Sequence, residues 1–302
     1  MGLAPDGWPL ILARALAVAG LLSTAGTLAF QTLIAPRALS RLQASERARI
    51  ERAFSTLVGC SLATTGCFLV IWSVLEAGTM AGSGSWQGIK AALPVVLART
   101  HFGHLVLLQA VLAAGAAIAW AAGANWKTVA TGLALIGVAV EAGHGHAMAM
   151  NGLASWLFCV DVVHLLAAAC WIGCLAPLLL VVRLTPPRTA AAAARAFSPV
   201  GKWCVAGLAG SALIQGWVLV GSIRALLTMT YGWVVLLKIA LLGVLFGLAI
   251  LNRYDLAPKL LWAAPALARR RLTASIAIQT GCGISAVFAA AILSGLVPGM
   301  DM

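Results

Sequence analysis

The chain has 302 residues, of which 62% are hydrophobic and only 9% charged, and its mean hydropathy is +1.00. A water-soluble domain is about half apolar and about a quarter charged, so the composition excludes a soluble fold and defines an integral membrane protein. The formal charge of +12 would suggest nucleic acid in a soluble chain, but no basic patch is interleaved with aromatics. The basic residues are therefore read as topology signals, with no nucleic-acid partner.

Apolar runs of about 20 residues, the length that a hydrocarbon core of roughly 30 Å requires, fall at about 8–34, 53–77, 100–122, 126–147, 153–182, 199–222, 231–251 and 272–297. They predict an all-α polytopic membrane protein, an eight-helix transmembrane bundle in a single domain over residues 1–302. The first run is too long, and lacks the basic start, for a cleaved signal. After it, PRALSRLQASERARIERAF (36–54) is amphipathic and basic. It reads as a solvated connector in preference to a helix lying on the membrane surface. Between the second and third runs, WQGIKAALPVVLA (86–98) predicts a short outer helix. Small residues recur within the runs, as in LAAGAAIAWAAG, which suits close helix packing in lipid. A closed barrel would need shorter segments of alternating polarity.

Fifteen of the twenty Lys and Arg fall in one set of connections, at 37–52, 127, 183–202 and 253–271. The positive-inside rule makes these cytoplasmic, and an even number of spans then puts both termini in the periplasm.

With that orientation all five histidines lie in the outer half of the bilayer. His101 and His104 open the third span. His144 and His146 close the fourth, within VEAGHGHAMAMNG (140–152), and His164 lies in the fifth, one turn from Asp161. Glu76, Glu141 and Lys238 share the level. Each ionisable group in a bilayer costs roughly 2.5–3.5 kcal/mol on insertion scales, so several at one depth imply mutual contact or a wet cavity. His101 with His104, Glu141 with His144 and Asp161 with His164 are i,i+3 pairs, each on one helix face, and a carboxylate beside an imidazole often orients it toward a metal.

Imidazole suits copper, zinc and iron, whereas thioether suits Cu(I). Met148 and Met150 beside His144 and His146, with Met80 and Met229 in neighbouring outer loops, therefore point to copper; zinc would leave the methionines unexplained. The metal candidates are His146 and His164, then His144, Met148 and Met150, then His101 and His104. Asp161, Glu141 and Lys238 are candidates to support them. For each histidine taken singly, the competing reading is a packing residue with a satisfied ring.

The seven cysteines are odd in number and lie inside spans, which excludes a disulfide framework. Small apolar packing is the preferred reading. The alternative is an inner relay for Cu(I) through Cys170, Cys174 and Cys67. No phosphate-binding loop, zinc-protease helix or haem-attachment motif is present, and no nucleophilic triad is persuasive around His164; a transporter is favoured over an enzyme.

Several segments occur together as in one known family. GHGHAMAMNG followed by LFCVDVVHLLAAACWIGCLAPLLLV, RTHFGH before the third span, and TYGWVVLLKIALLGVLFGLAILNRYDLAPKL resemble the CopD family of bacterial copper-resistance membrane proteins. The matching positions are His146, Asp161, His164, Trp171, Gly173, Tyr231, Lys238, Asn252 and Arg253. The resemblance adds Trp171 and Tyr231 to the candidates that support the metal ligands. His104 departs from the pattern where a basic residue is expected, and Gln279 stands where the last span often carries Glu. The resemblance implies an eight-span inner-membrane protein that handles copper, served by a periplasmic copper carrier of the CopC type. The rival is a redox protein binding haem b between two histidines of different helices, acting on copper without conducting it.

Overall fold

The apolar runs form long helices whose ends are set by a few capping residues. A computed structural model describes residues 7–82, 84–145, 154–262 and 265–296, and every regular element among the described residues is helical. α1 spans Gly7–Ala29 and continues through a π-helical turn, Phe30–Ile34, and a last turn, Ala35–Ala38. α2 is Ala44–Ala81, α3 Trp86–Arg99, α4 His101–Ala121 and α5 Lys127–Val140. α6 is Ala154–Leu184, α7 Pro187–Val220 and α8 the short Ile223–Thr228. α9, Thr230–Leu251, is prolonged through Asn252–Leu256 and Ala257–Trp262, and α10 is Pro265–Leu293.

The basic stretch 36–54 is neither a loop nor a separate surface helix. Its first residues close α1, and from Ala44 onward it is the beginning of α2, started by reciprocal capping between Gln43 and Glu46. The short outer helix expected over 86–98 is present as α3. Thr100 ends α3 in an extended conformation and caps α4, its Oγ1 accepting from the Gly103 amide at 3.0 Å. Gly103 is required at this corner, because a Cβ there would sit 2.2 Å from the Val96 carbonyl oxygen.

Among the described residues seven helices are long and apolar enough to cross a membrane: Gly7–Ala38, Ala44–Ala81, His101–Ala121, Trp156–Leu184, Pro187–Val220, Thr230–Trp262 and Pro265–Leu293. The expected span over 126–147 is not among them as one long helix. Its α-helix, α5, has 14 residues, about 21 Å of rise, and the backbone tightens into 3-10 turns at Ala124–Trp126 before it and Glu141–His144 after it. Polar residues and glycines at 141–145 end the α-helix there.

α1 is the hub of the bundle, packed against α2, α5, α6 and α10. Of its apolar window 67% is buried, against 6% for Thr230–Trp262, so α9 is a peripheral helix turned mostly to lipid. Where α1 crosses α6 the backbones touch: a Cβ on Gly26 would lie 2.3 Å from the Gly173 carbonyl carbon, and one on Gly173 2.2 Å from Leu22 O. This is close packing through small residues, the arrangement lipid favours.

The basic connections serve as caps for helix ends. Arg47 Nη2 donates to Leu39 O at 2.9 Å, Arg269 Nη2 to Thr185 O at 2.5 Å, and Arg49 to Leu184 O. Guanidinium groups thus satisfy carbonyls at the C-terminal ends of α1 and α6, where the helix dipole is negative.

Candidate functional site

At the end of the bundle where α1 begins, α1, α2, α4 and the turn after α5 surround an open cavity of about 380 Å3, lined by Arg14, Trp72, Glu76, His101, Phe102, Gly143, His144 and Gly145. The Arg14 guanidinium lies over the Trp72 ring, 5.1 Å from its centre, and donates to the Ser294 hydroxyl. Trp72 Nε1 donates to Glu76 Oε2, one turn further along α2, at 3.3 Å. The His144 ring packs against Trp72 at 4.8 Å and Phe102 at 5.4 Å between ring centres. Trp72 and Phe102 in turn meet edge to face at 5.2 Å.

The partners of the imidazoles determine which nitrogen carries hydrogen. His101 Nε2 faces the Gly143 carbonyl at 3.2 Å, and His144 Nε2 faces Gln109 Oε1 at 3.4 Å. Both oxygens only accept, so each Nε2 is the donor and each neutral ring keeps its lone pair on Nδ1. Gln109 is oriented from its other end, Nε2 donating to Glu141 Oε2 at 2.7 Å. An imidazole held through one nitrogen by a carbonyl oxygen is the arrangement found behind metal-binding histidines.

A second polar group lies along α6. His164 Nδ1 is 2.8 Å from Ser211 Oγ on α7, whose own hydrogen goes to the Gly207 carbonyl at 2.6 Å. Ser211 therefore accepts from His164, and the lone pair of this ring is on Nε2. Asp161, one turn earlier, lies close enough to Lys238 and Tyr231 of α9 for the charges to interact. The two groups adjoin at Gly145, where a Cβ would be 3.2 Å from Asp161 Oδ2.

Residues 4–156 match the family model of the copper resistance protein D-like N-terminal domain, just over half of the chain, and residues 191–293 match the model of copper resistance protein D. The chain belongs to the copper resistance protein D family. It is 28% identical over 251 residues to copper resistance protein D of Pseudomonas syringae pv. tomato, covering 77% of this chain and 80% of that protein. To the inner membrane protein YebZ of Escherichia coli (strain K12) it is 28% identical over 202 residues, covering 63% of this chain and 69% of the relative. No solved structure matches it. With seven apolar membrane-length helices among the described residues, this CopD-family chain is a multi-pass inner-membrane protein concerned with copper resistance.

Of the residues that the sequence marks, the CopD-family structure brings His101, His144 and Glu76 to one cavity, with Glu141 behind it on Gln109, and gathers Asp161, His164, Tyr231 and Lys238 in an adjoining polar group. His146, Met148 and Met150 lie outside the described residues. His104 stands apart, its Nε2 on the Ala98 carbonyl of α3 at 3.0 Å. Trp171 is packed in the main core. Cys67 is exposed on α2, away from the buried Cys174 and half-buried Cys170 of α6. Among the described residues no group of three or more His, Cys, Asp or Glu side chains is arranged to hold a metal ion.

The two polar groups also involve residues the sequence reading passed over. Arg14 was visible as a lone cation inside the first apolar run, and Gln109 as a lone amide in the run 101–121, fully buried in the structure. Ser211 gave no signal at all, since serine is ordinary in a membrane helix.

Proposed function

We propose that this protein takes copper at the outer end of its bundle and passes it across or into the membrane. The supporting observation is that His101 and His144, from different helices, line one open cavity, each with Nε2 committed to a carbonyl oxygen and Nδ1 left as the ligating lone pair. In this reading His146, Met148 and Met150, which follow Gly145 directly, load copper as soft, exchangeable ligands from a periplasmic carrier of the CopC type. His146 and His164 then bind it, with Asp161 and Lys238 balancing charge beside them. α5 with its flanking turns supplies an eighth span, and both termini lie in the periplasm, since the basic connections gather at the opposite end.

The test is Cu(I) flux into vesicles that contain purified protein and an internal Cu(I) chelator. The wild type is expected to deliver copper, and the His101→Ala/His144→Ala double variant to fall to the rate of empty vesicles. Undiminished flux in the double variant removes the reading.

A further inference from the structure

Deeper in the bundle the α6–α7 seam carries a pair of sulfur atoms that the outer chambers do not use. The seam is antiparallel and its register can be read from three levels. His164 meets Ser211 at 2.8 Å. A Cβ on Gly207 would touch Ala167 Cβ at 3.4 Å. One turn further, the same register sets Cys170 opposite Cys204, close enough for the two thiols to interact. Along α6, Cys170 is about 9 Å below His164 at 1.5 Å per residue. Both cysteines belong to or pack on the main core, where Cys204 is buried and Cys170 half-buried, and both thiols are free. Cys174, the next turn down, is committed elsewhere: its Sγ donates to Gly26 O at 3.2 Å.

We propose that Cys170 and Cys204 form a two-thiolate Cu(I) site inside the membrane, which receives the ion after His164. The proposal rests on the reading that copper enters at the outer chambers. Thiolate suits Cu(I), zinc and iron–sulfur clusters; zinc needs about four ligands, whereas Cu(I) accepts two sulfur ligands in line without further coordination. On binding, two S–H bonds break and two Cu–S bonds form; the two protons are released to the aqueous phase, as metal binding to thiols requires, and copper stays Cu(I). The site carries one net negative charge, and the nearby His164 that precedes it on α6 is within reach of the Lys238 cation of α9. A Cys, Cys pair two turns below an imidazole gives the ion progressively softer ligands as it moves inward.

The experiment uses the full-length protein in detergent, loaded anaerobically with Cu(I) supplied as its acetonitrile complex. Copper per chain is read together with sulfur scattering in the X-ray absorption spectrum and the ultraviolet thiolate-to-Cu(I) band. Wild type is expected to show sulfur-bound copper; Cys170→Ser/Cys204→Ser is expected to lose the band and one copper, whereas Cys60→Ser and Cys282→Ser keep both. In the wild type, Cu(I) is also expected to slow alkylation of Cys170 by N-ethylmaleimide at least tenfold, a readout that needs no variant to fold. Nitrogen-bound copper without sulfur scattering overturns the thiolate site and leaves the outer chambers standing. Sulfur-bound copper that persists in His101→Ala/His144→Ala keeps the thiolate site while the entry reading fails. A band that survives the double cysteine variant overturns the assignment of these two residues.

Discussion

Gln109 Nε2 donates to Glu141 Oε2 at 2.7 Å, tying the middle of α4 to the turn that follows α5. The same amide, fully buried, turns its oxygen to His144, so one side chain satisfies a carboxylate and sets a tautomer. Gln109→Leu leaves Glu141 without this donor and His144 without an acceptor. We expect a loss of about 1–3 kcal/mol in stability, the cost of an unsatisfied buried polar group. Copper affinity should fall about 10- to 100-fold, the usual effect of removing a partner from behind a metal-binding imidazole. Thermal unfolding in detergent and competition with a Cu(I) chelator measure the two separately; an unchanged affinity would show that His144 is not a ligand.

The three outer imidazoles should separate by their surroundings. His101→Ala and His144→Ala are expected to reduce the copper retained by the purified protein. His104→Ala, whose ring only bonds the Ala98 carbonyl at 3.0 Å, should retain it and lose about 0.5–1.5 kcal/mol of stability. A visible spectrum taken on the same samples is expected to lack a Soret band. A strong one would make haem b the ligand of these rings.

Ser211 directs His164 to present Nε2. Ser211→Ala removes the acceptor of its Nδ1 hydrogen and frees the ring to rotate or change tautomer. Copper flux should fall about tenfold or more, with the His101 and His144 chamber still loading copper. Equal flux in the variant argues against His164 as a station on the route.

The Gly26 and Gly173 contact predicts a backbone clash that no rotamer can relieve. Gly26→Ala places a methyl 2.3 Å from the Gly173 backbone, so α1 and α6 must separate, at a cost of about 1–3 kcal/mol or more. Gly59 of α2, with nothing within 4 Å of its added Cβ, is the comparison; alanine there should be neutral or stabilising by about 0.5–1 kcal/mol. Melting temperatures of the two variants in one detergent decide the matter.

Whether α5 crosses the bilayer can be read with reporters active only in the periplasm. Fusions after Gly84 and Gly145 are expected to be active and those after Gly123 and Pro186 inactive. Inactivity at both Gly123 and Gly145 would leave seven spans and invert the later part of the chain.

Hydropathy along the chain was enough to establish the membrane class, seven of the expected helices and the short α3, because helix length and apolarity are local properties with a threshold set by bilayer thickness. The connector 36–54 was misread because Gln43 and Glu46 start a helix that runs unbroken into an apolar span, and composition does not reveal where a capping box will act. The run 126–147 does not appear as one long α-helix because a sliding reading of hydropathy cannot see the backbone tighten at Glu141. Imidazoles at one depth were predictable, but their division was not: His101 and His144 go to one cavity, His164 to the α6–α7 seam and His104 to a carbonyl at the α3–α4 corner. Azimuth around each helix, set by contacts such as Gly26 on Gly173, decides what a side chain faces. Gln109, Ser211 and Cys204 acquire their meaning only from helices distant in the chain, and those pairings arise when the bundle packs.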